Sequence, residues 1–384
     1  MKHIALVGST GSIGTQALNV ARAYPDLFQV EALVASSSYQ TFLEQIKEFL
    51  PRYAVLLNED AAERICGEIP PSVRFLTGKE AALAACALPE ADTVLVATTG
   101  FAGLRYSLEA IKRGKSLALA NKETLVCGGA LVMPLVEEKG IDLTPIDSEH
   151  SALWQCLNFN PHGAFRKLHI TASGGPFYGW KREALAKVTA KDALKHPTWS
   201  MGAKITIDSA TLLNKGFEVI EAKWLYRTSL DKIGAIVHPE SIIHSMVEFE
   251  DGAVLAQMSY PTMELPIQMA LTYPKRFPCN VKPLDFASLG ALHFLPLERK
   301  QFPCFDLALT ASEYGENYPC ALNGAGEVAV RAFLNGEIGF LEIGEVLEGV
   351  LSQTKKQKVT EYAVLEETDA LSRRTAKEII CRKF

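Results

Sequence analysis

The sequence contains no C-x-x-C pair; its eight cysteines stand singly at 66, 86, 127, 156, 279, 304, 320 and 381. That spacing writes neither a zinc knuckle nor a thioredoxin-like redox motif, and scattered thiols suit a reducing compartment where cysteine packs as a small hydrophobe. There is no run of about 18 apolar residues, the length a membrane-crossing helix needs, so no membrane partner is expected. Ahead of the first glycine turn the apolar stretch is only residues 4–7, far short of a secretory signal core, and the chain is read as cytoplasmic. An excess of positive charge is also missing: 39 Lys and Arg face 44 Asp and Glu, for a net charge of −5. A nucleic-acid binder with a broadly basic surface is thereby excluded, while a local basic pocket for a phosphate is not. No internal repeat and no low-complexity tract interrupts the chain.

What is present is a globular composition, 48% hydrophobic and 22% charged over 384 residues. That length accommodates two or three domains of roughly 100–200 residues each. Residues 4–7, 30–35, 53–57 and 93–97 are short apolar runs of the kind buried on both faces of a parallel sheet. Helical stretches at 15–24, 39–49 and 104–112 alternate with them, which predicts an α/β fold with an N-terminal Rossmann-like parallel sheet over 1–147. The texture then changes. Strand-like segments at 167–172, 205–208, 235–237, 245–249 and 254–259 predict a central α+β domain over 148–272. Prolines 274, 278, 283, 296 and 303 mark 273–303 as a linker. Long helical patterns at 327–334, 343–351 and 368–380 make 304–384 a C-terminal helical domain.

Gly8, Gly11 and Gly14 follow the first strand and open a helix as G-x-x-G-x-x-G. Glycines let the backbone approach a pyrophosphate, and free N–H groups at the helix N-terminus favour its charge. The end of the second strand bears on the choice between NAD and NADP. A carboxylate there grips ribose hydroxyls, whereas a neutral or basic environment accepts the extra phosphate. Here the strand runs into Ser36, Ser37 and Ser38 with no carboxylate, which favours NADP.

Asp147 and Glu149 follow the stretch 141–146, read as a strand end. In an extended segment residues i and i+2 point to one side, so both carboxylates can meet one hard cation such as magnesium or manganese. Taken alone, such a pair is more often a solvated acidic turn. Further on, Leu212, Leu213, Phe217, Ile220 and Trp224 form an apolar helical stripe, and Asn214 and Glu218, four residues apart, share another face. Glu218 in that setting is a candidate third ligand. Asn121, Lys122 and Glu123 follow a strand at 116–120, where α/β sheets bind ligands, though an ordinary helix start reads the same way. Ser173 opens a small-residue turn, 173–177, able to cradle a phosphate. The segment 196–202 carries Trp199 and Met201, expected exposed on a lid near 173–203 that closes over a site. His196 and His244 are candidates for donating or moving protons, or for simple packing.

Seven of these segments, in this order, resemble one family: residues 8–14, 119–125, 147–152, 171–177, 196–202, 208–218 and 237–246. It is the 1-deoxy-D-xylulose 5-phosphate reductoisomerase family of the non-mevalonate isoprenoid pathway, and the resemblance covers nearly the whole chain. It implies that Thr10, Gly11, Ser12 and Ile13 hold the pyrophosphate side of NADPH, with Asn121, Glu123 and Gly202 as further cofactor contacts. Asp147, Glu149 and Glu218 match the family's divalent-metal ligands, and Lys122 and Ser148 its substrate-binding residues. Ser173, His196, Ser209, Asn214 and Lys215 match the pocket for the substrate phosphate, with Trp199 as the cover and His244 close by. The implied reaction rearranges a sugar phosphate by retro-aldol cleavage and re-aldol joining. NADPH then reduces the resulting branched aldehyde to 2-C-methyl-D-erythritol 4-phosphate. A bound magnesium or manganese ion is implied as Lewis acid, Lys122 as a stabiliser of oxygen charge, and Glu149 as a group able to move a proton. A homodimer is implied as well.

Two positions depart from the family pattern. Ser36, Ser37 and Ser38 replace a Gly, variable residue, Asn sequence at the adenosine end, and Gly326 stands where Asn is usual in the helical domain. The competing readings are another NADP enzyme of homoserine-dehydrogenase type, sharing the Rossmann half, and a non-catalytic dinucleotide sensor. Neither needs three converging carboxylates with a phosphate pocket.

Overall fold

The computed structural model describes residues 1–158, 164–199 and 201–383. Ser200, part of the expected lid, lies outside them. The chain divides into two compact units. The first comprises Met1–Thr124, Val132–Asp147 and Thr262–Val281; the second comprises Leu125–Leu131, Ser148–Pro261 and Lys282–Phe384.

In the first unit strands and helices alternate: β1 (Lys2–Val7), α1 (Ser12–Ala23), β2 (Phe28–Ala35), α2 (Tyr39–Phe49), β3 (Tyr53–Leu56), α3 (Glu59–Glu63), β4 (Arg74–Thr77), α4 (Lys79–Cys86), β5 (Thr93–Val96), α5 (Ala102–Lys112), β6 (Ser116–Leu119), α6 (Glu123–Lys139) and β7 (Leu143–Pro145). Seven strands form one sheet in the order β4-β3-β2-β1-β5-β6-β7, and all its pairings are parallel. The reason is composition. Strands such as β5, Thr93–Val96, are buried along their whole length and can be satisfied only by helices on both faces. Strand order reverses between β1 and β5, so the turn after β1 opens at the switch point where such sheets take ligands. β4, which hydropathy patterning does not mark, is half-exposed at the sheet edge.

The second unit carries α7 (Ser148–Asn158), β8 (Phe165–Ala172), α8 (Arg182–Leu185), α9 (Ala190–Ala193), α10 (Ala203–Ala210), α11 (Leu213–Leu225), β9 (Ile233–Val237), β10 (Ile243–Phe249) and β11 (Val254–Met258). Its four-stranded sheet runs β11-β10-β8-β9, mixing antiparallel β10 pairings with a parallel β8–β9 pair. α12 (Glu264–Thr272) returns to the first unit and places Ile267, Ala270 and Leu271 in its core beside Leu18 of α1. Burying each of the Ile and Leu side chains contributes about 1.5–3 kcal/mol. α13 (Phe286–Leu289) is a single turn within 273–303. α14 (Pro303–Tyr314), α15 (Tyr318–Leu334), α16 (Glu342–Gln353) and α17 (Tyr362–Lys383) build the helical end of the second unit.

Three local expectations are corrected. Residues 205–208 lie in helix α10, not a strand. The β-branched run Ile205, Thr206, Ile207 favours a strand by propensity, but Thr206 Oγ1 donates to Gly202 O across 2.9 Å and the segment buries a helical face. Asp147 and Glu149 do not lie along one extended segment, because β7 ends at Pro145 and Glu149 sits in the first turn of α7. Leu212 leaves the expected helical stripe: its φ of 60° breaks the chain between α10 and α11.

Candidate active site

The turn after β1 fits a dinucleotide. Gly8 has a φ of +91°, and a Cβ there would lie 2.7 Å from Ala97 O; one at Gly14 would run into Gly8 O. Only glycine lets α1 begin this close to the strand, and Thr10, Gly11, Ser12 and Ile13 stand at its unshielded N-terminal end. Ser36, Ser37 and Ser38 are all exposed just beyond β2, with Ser38 at the N-cap of α2.

Asn121, Lys122 and Glu123 divide into two roles. Asn121 is buried; its Nδ2 donates to Thr98 O, to Gly100 O and, across 2.7 Å, to Glu123 Oε2. Its Oδ1 accepts from Thr124 N and Oγ1, while Glu123 Oε1 accepts from Gly100 N. The pair thus fixes the loop after β5 to the start of α6. Lys122 points elsewhere, with Nζ 2.9 Å from Asp147 Oδ2.

Asp147, Glu149 and Glu218 each offer an oxygen within 4.8 Å of the others. Two peptide bonds separate Asp147 from Glu149, so their proximity is local. Glu218 arrives from α11, where it is buried. Asn214, one turn earlier, donates from Nδ2 to Glu218 Oε1 across 2.6 Å. Lys215 bonds Glu218 Oε2 and stands 3.9 Å from Glu149 Oε1, and Ser148 Oγ donates to Glu149 Oε2 across 2.5 Å. Three carboxylates this close repel one another at any interior dielectric. Lys122 and Lys215 offset part of that charge, and a divalent cation with carboxylate ligands would offset the rest. The oxygen-only donor set suits magnesium or manganese rather than a soft metal.

Of the residues expected around a substrate phosphate, Ser173 and Ser209 meet on His196, whereas Asn214 and Lys215 bond Glu218. His196 Nδ1 accepts two backbone N–H groups, Thr198 at 3.2 Å and Trp199 at 2.9 Å. Nδ1 is therefore the bare nitrogen, and Nε2 carries the proton toward Ser173 Oγ at 3.1 Å and Ser209 Oγ at 3.3 Å. Burial lowers the His196 pKa, in keeping with this neutral form. Gly175, at φ +67°, brings the Ser173 turn against α10: a Cβ there would sit 3.2 Å from Ser209 O. Trp199 and Met201, expected exposed, are half-buried. The Trp199 ring lies 6.1 Å from that of His244, which is buried and bonded to Ser259 Oγ at 3.0 Å. Gly202 is the exposed N-cap of α10.

Two close polar pairs escaped sequence reading, one fully buried and one with only its carboxylate buried. His150 Nε2 lies 3.1 Å from Glu221 Oε2 with both side chains essentially inaccessible, and Lys204 bonds Asp208 across 2.5 Å. A signal existed for each: Glu221 is one turn beyond Glu218, and Lys204 and Asp208 are spaced i, i+4 on what proved to be a helix.

Three family models match along the chain. Residues 4–129 match 1-deoxy-D-xylulose 5-phosphate reductoisomerase, and 143–226 match its C-terminal domain model. Residues 258–375 match the DXP reductoisomerase C-terminal domain. The chain belongs to the 1-deoxy-D-xylulose 5-phosphate reductoisomerase family. Relatives bearing that name include one from Protochlamydia amoebophila, 48% identical over 98% of each chain. Another, from Geobacillus sp., is 45% identical over 99% of this chain and 100% of its own. Among solved structures, the Zymomonas mobilis reductoisomerase in complex with NADPH is 37% identical with a TM-score of 0.92, each chain covered completely. A DOX-P reductoisomerase in complex with NADPH, fosmidomycin and magnesium is 35% identical, with a TM-score of 0.94 over 99% of this chain and 98% of that one. Membership removes the homoserine-dehydrogenase reading.

Proposed function

We infer that this chain converts 1-deoxy-D-xylulose 5-phosphate, NADPH and a proton to 2-C-methyl-D-erythritol 4-phosphate and NADP⁺, as a metal-requiring reductoisomerase. The observation that carries the reading is the meeting of Asp147, Glu149 and Glu218 within 4.8 Å in a chain of this family. We assign Asp147, Glu149 and Glu218 to a divalent cation, magnesium or manganese. Thr10, Gly11, Ser12, Ile13, Ser36, Ser37, Ser38, Asn121, Glu123 and Gly202 are assigned to NADPH. When bound, the cation supplies Lewis-acid polarisation and NADPH the hydride.

The protein's own groups then have definite tasks. Lys122 supplies positive charge where oxygen charge develops during cleavage and rejoining. Glu149 is placed to move a proton. Ser173, Ser209, Asn214, Lys215 and the Nε2–H of His196 donate to the substrate phosphate, and Ser148 binds beside the carboxylates. Trp199, resting on His244, covers the site against water. In this division of labour 1–147, completed by 262–281, serves the cofactor and 148–261 the chemistry, with the lid near 173–203. Residues 282–303 lead to a supporting helical segment, 304–384.

We further propose a cytoplasmic homodimer. Among the described residues no helix is long and apolar enough to cross a membrane. All eight cysteines are free thiols, and burial pushes Cys156 up to about 11 and Cys304 up to about 12, which keeps them unreactive. Strand β11 lies at a sheet edge with Val254 and Leu255 exposed, the kind of edge a second copy can pair with. Light scattering should show a dimer that Leu255→Lys weakens; a monomeric wild-type chain would sink this part.

The deciding assay is NADPH consumption with 1-deoxy-D-xylulose 5-phosphate, with and without magnesium or manganese. Turnover should require metal, and Glu149→Gln should abolish it while NADPH binding persists. Near-normal turnover in that variant would overturn the metal assignment.

A further inference from the structure

NADPH differs from NADH by one phosphate on the adenosine ribose, and a Rossmann sheet meets that group just beyond β2. In this chain the segment there, Ser36, Ser37 and Ser38, offers hydroxyls but no cation. Among the described residues none of the three hydroxyls is engaged within the protein; the Ser38 side chain does not even cap its own helix. Neutral donors alone distinguish weakly between a phosphate and a bare hydroxyl, because both accept hydrogen bonds.

The missing charge comes from the helix after β3. Asn58 N donates to Ser36 O across 2.9 Å, which fastens the serine turn to the start of α3, and Tyr39 N donates to Ser37 O across 2.8 Å within the turn. Asn58 Oδ1 caps α3 by accepting from Ala61 N at 2.7 Å. Scarcely more than one turn later α3 ends at Arg64, whose guanidinium carbon lies 5.4 Å from the ring centroid of Tyr39, the residue after Ser38. We propose that Arg64, laid on the Tyr39 ring, is the cation that reads the 2′-phosphate of NADPH and sets cofactor preference in this chain. The proposal rests on the dinucleotide reading above.

Two comparisons within the first unit favour it. Arg22, Arg52, Arg105 and Arg113 each pair with a glutamate, whereas among the described residues Arg64 pairs with no carboxylate. Arg74 also lies over a ring, that of Tyr53, but it is the first residue of β4, at the amino end of the strands and away from where such sheets bind ligands. Arg64 and Tyr39 both stand beyond the carboxyl ends. The surroundings sharpen the role: Glu59 and Asp60 occupy the first turn of α3, and Glu63 precedes Arg64. Without the guanidinium, this corner would repel a phosphate dianion while leaving an uncharged ribose hydroxyl unaffected.

The test is calorimetric titration of the full-length protein with NADPH and with NADH, for wild type, Arg64→Gln and Arg64→Lys. Loss of one charge-assisted contact should weaken NADPH by about 10- to 100-fold in Arg64→Gln. NADH affinity should stay within about twofold, and Arg64→Lys should recover part of the NADPH affinity as a point charge. Equal weakening of both cofactors, or unchanged NADPH affinity, would overturn the proposal and reduce Arg64 to a surface clip on Tyr39. Wild type that binds NADH as tightly as NADPH would also overturn it while leaving the dinucleotide reading intact. Wild type binding neither would remove that reading itself. Unchanged thermal melting of Arg64→Gln separates loss of contact from loss of fold.

Discussion

Asn214 holds Glu218 from one helical turn away, its Nδ2 2.6 Å from Glu218 Oε1. The bond leaves one carboxylate oxygen tethered and fixes the rotamer that aims Glu218 at Glu149. Outer partners of metal ligands typically matter by 10–100-fold in affinity. Asn214→Ala should therefore lower magnesium or manganese affinity by about that factor, read by calorimetry on the free protein. Unchanged affinity would mean that Glu218 does not ligate through this geometry.

Lys122 sits with its ammonium 2.9 Å from Asp147 Oδ2, and both groups are largely shielded from water. Lys122→Met removes the charge while keeping most of the side-chain volume. Turnover should fall by about 10²–10³, as for loss of one preorganised charge stabiliser. NADPH affinity, measured by titration, should change little. A loss confined to NADPH affinity would place Lys122 with the cofactor instead.

His196 is neutral in the fold, with burial lowering its pKa below the ordinary value of 6.5. The unfolded chain therefore takes up the proton first as pH falls. The stability His196 contributes is complete above pH 6.5 and is lost on acidification from there toward its lower folded pKa. Protonation must also break the Thr198 and Trp199 bonds to Nδ1. Urea unfolding from pH 7.5 down to about 5 should show a steeper loss in wild type than in His196→Gln. Equal slopes would refute the neutral assignment.

Gly14→Ala places a methyl group against Gly8 O, where backbone on both sides leaves no room. The substitution should destabilise the first unit by about 1–3 kcal/mol, the usual cost of overpacking, and weaken NADPH together with NADH. That shared loss contrasts with the selective loss expected at Arg64.

The segments that could be placed from sequence share one property: their signal is local. Tyr39–Phe49 is a helix where periodicity puts it, and the buried strands of the first unit fall on the apolar runs. The failures share a property too. The run Ile205, Thr206, Ile207 looks like a strand until the packing around α10 claims it. Thr262–Val281 returns to the first unit without any mark in its hydropathy.

The site divides along the same line. By itself the sequence determined the glycine turn and the placing of Asn214 with Glu218, because a helix repeat of 3.6 residues fixes which side chains meet at i, i+4. It also determined, through motif order, the family. Tertiary structure alone decided that Glu218 meets Asp147 and Glu149, that His196 Nε2 meets Ser173 and Ser209, and that Arg64 returns to the ring of Tyr39. Each of these joins residues from different elements. Such a meeting is set by how elements pack and where turns end, and neither period nor propensity in a single segment encodes that distance.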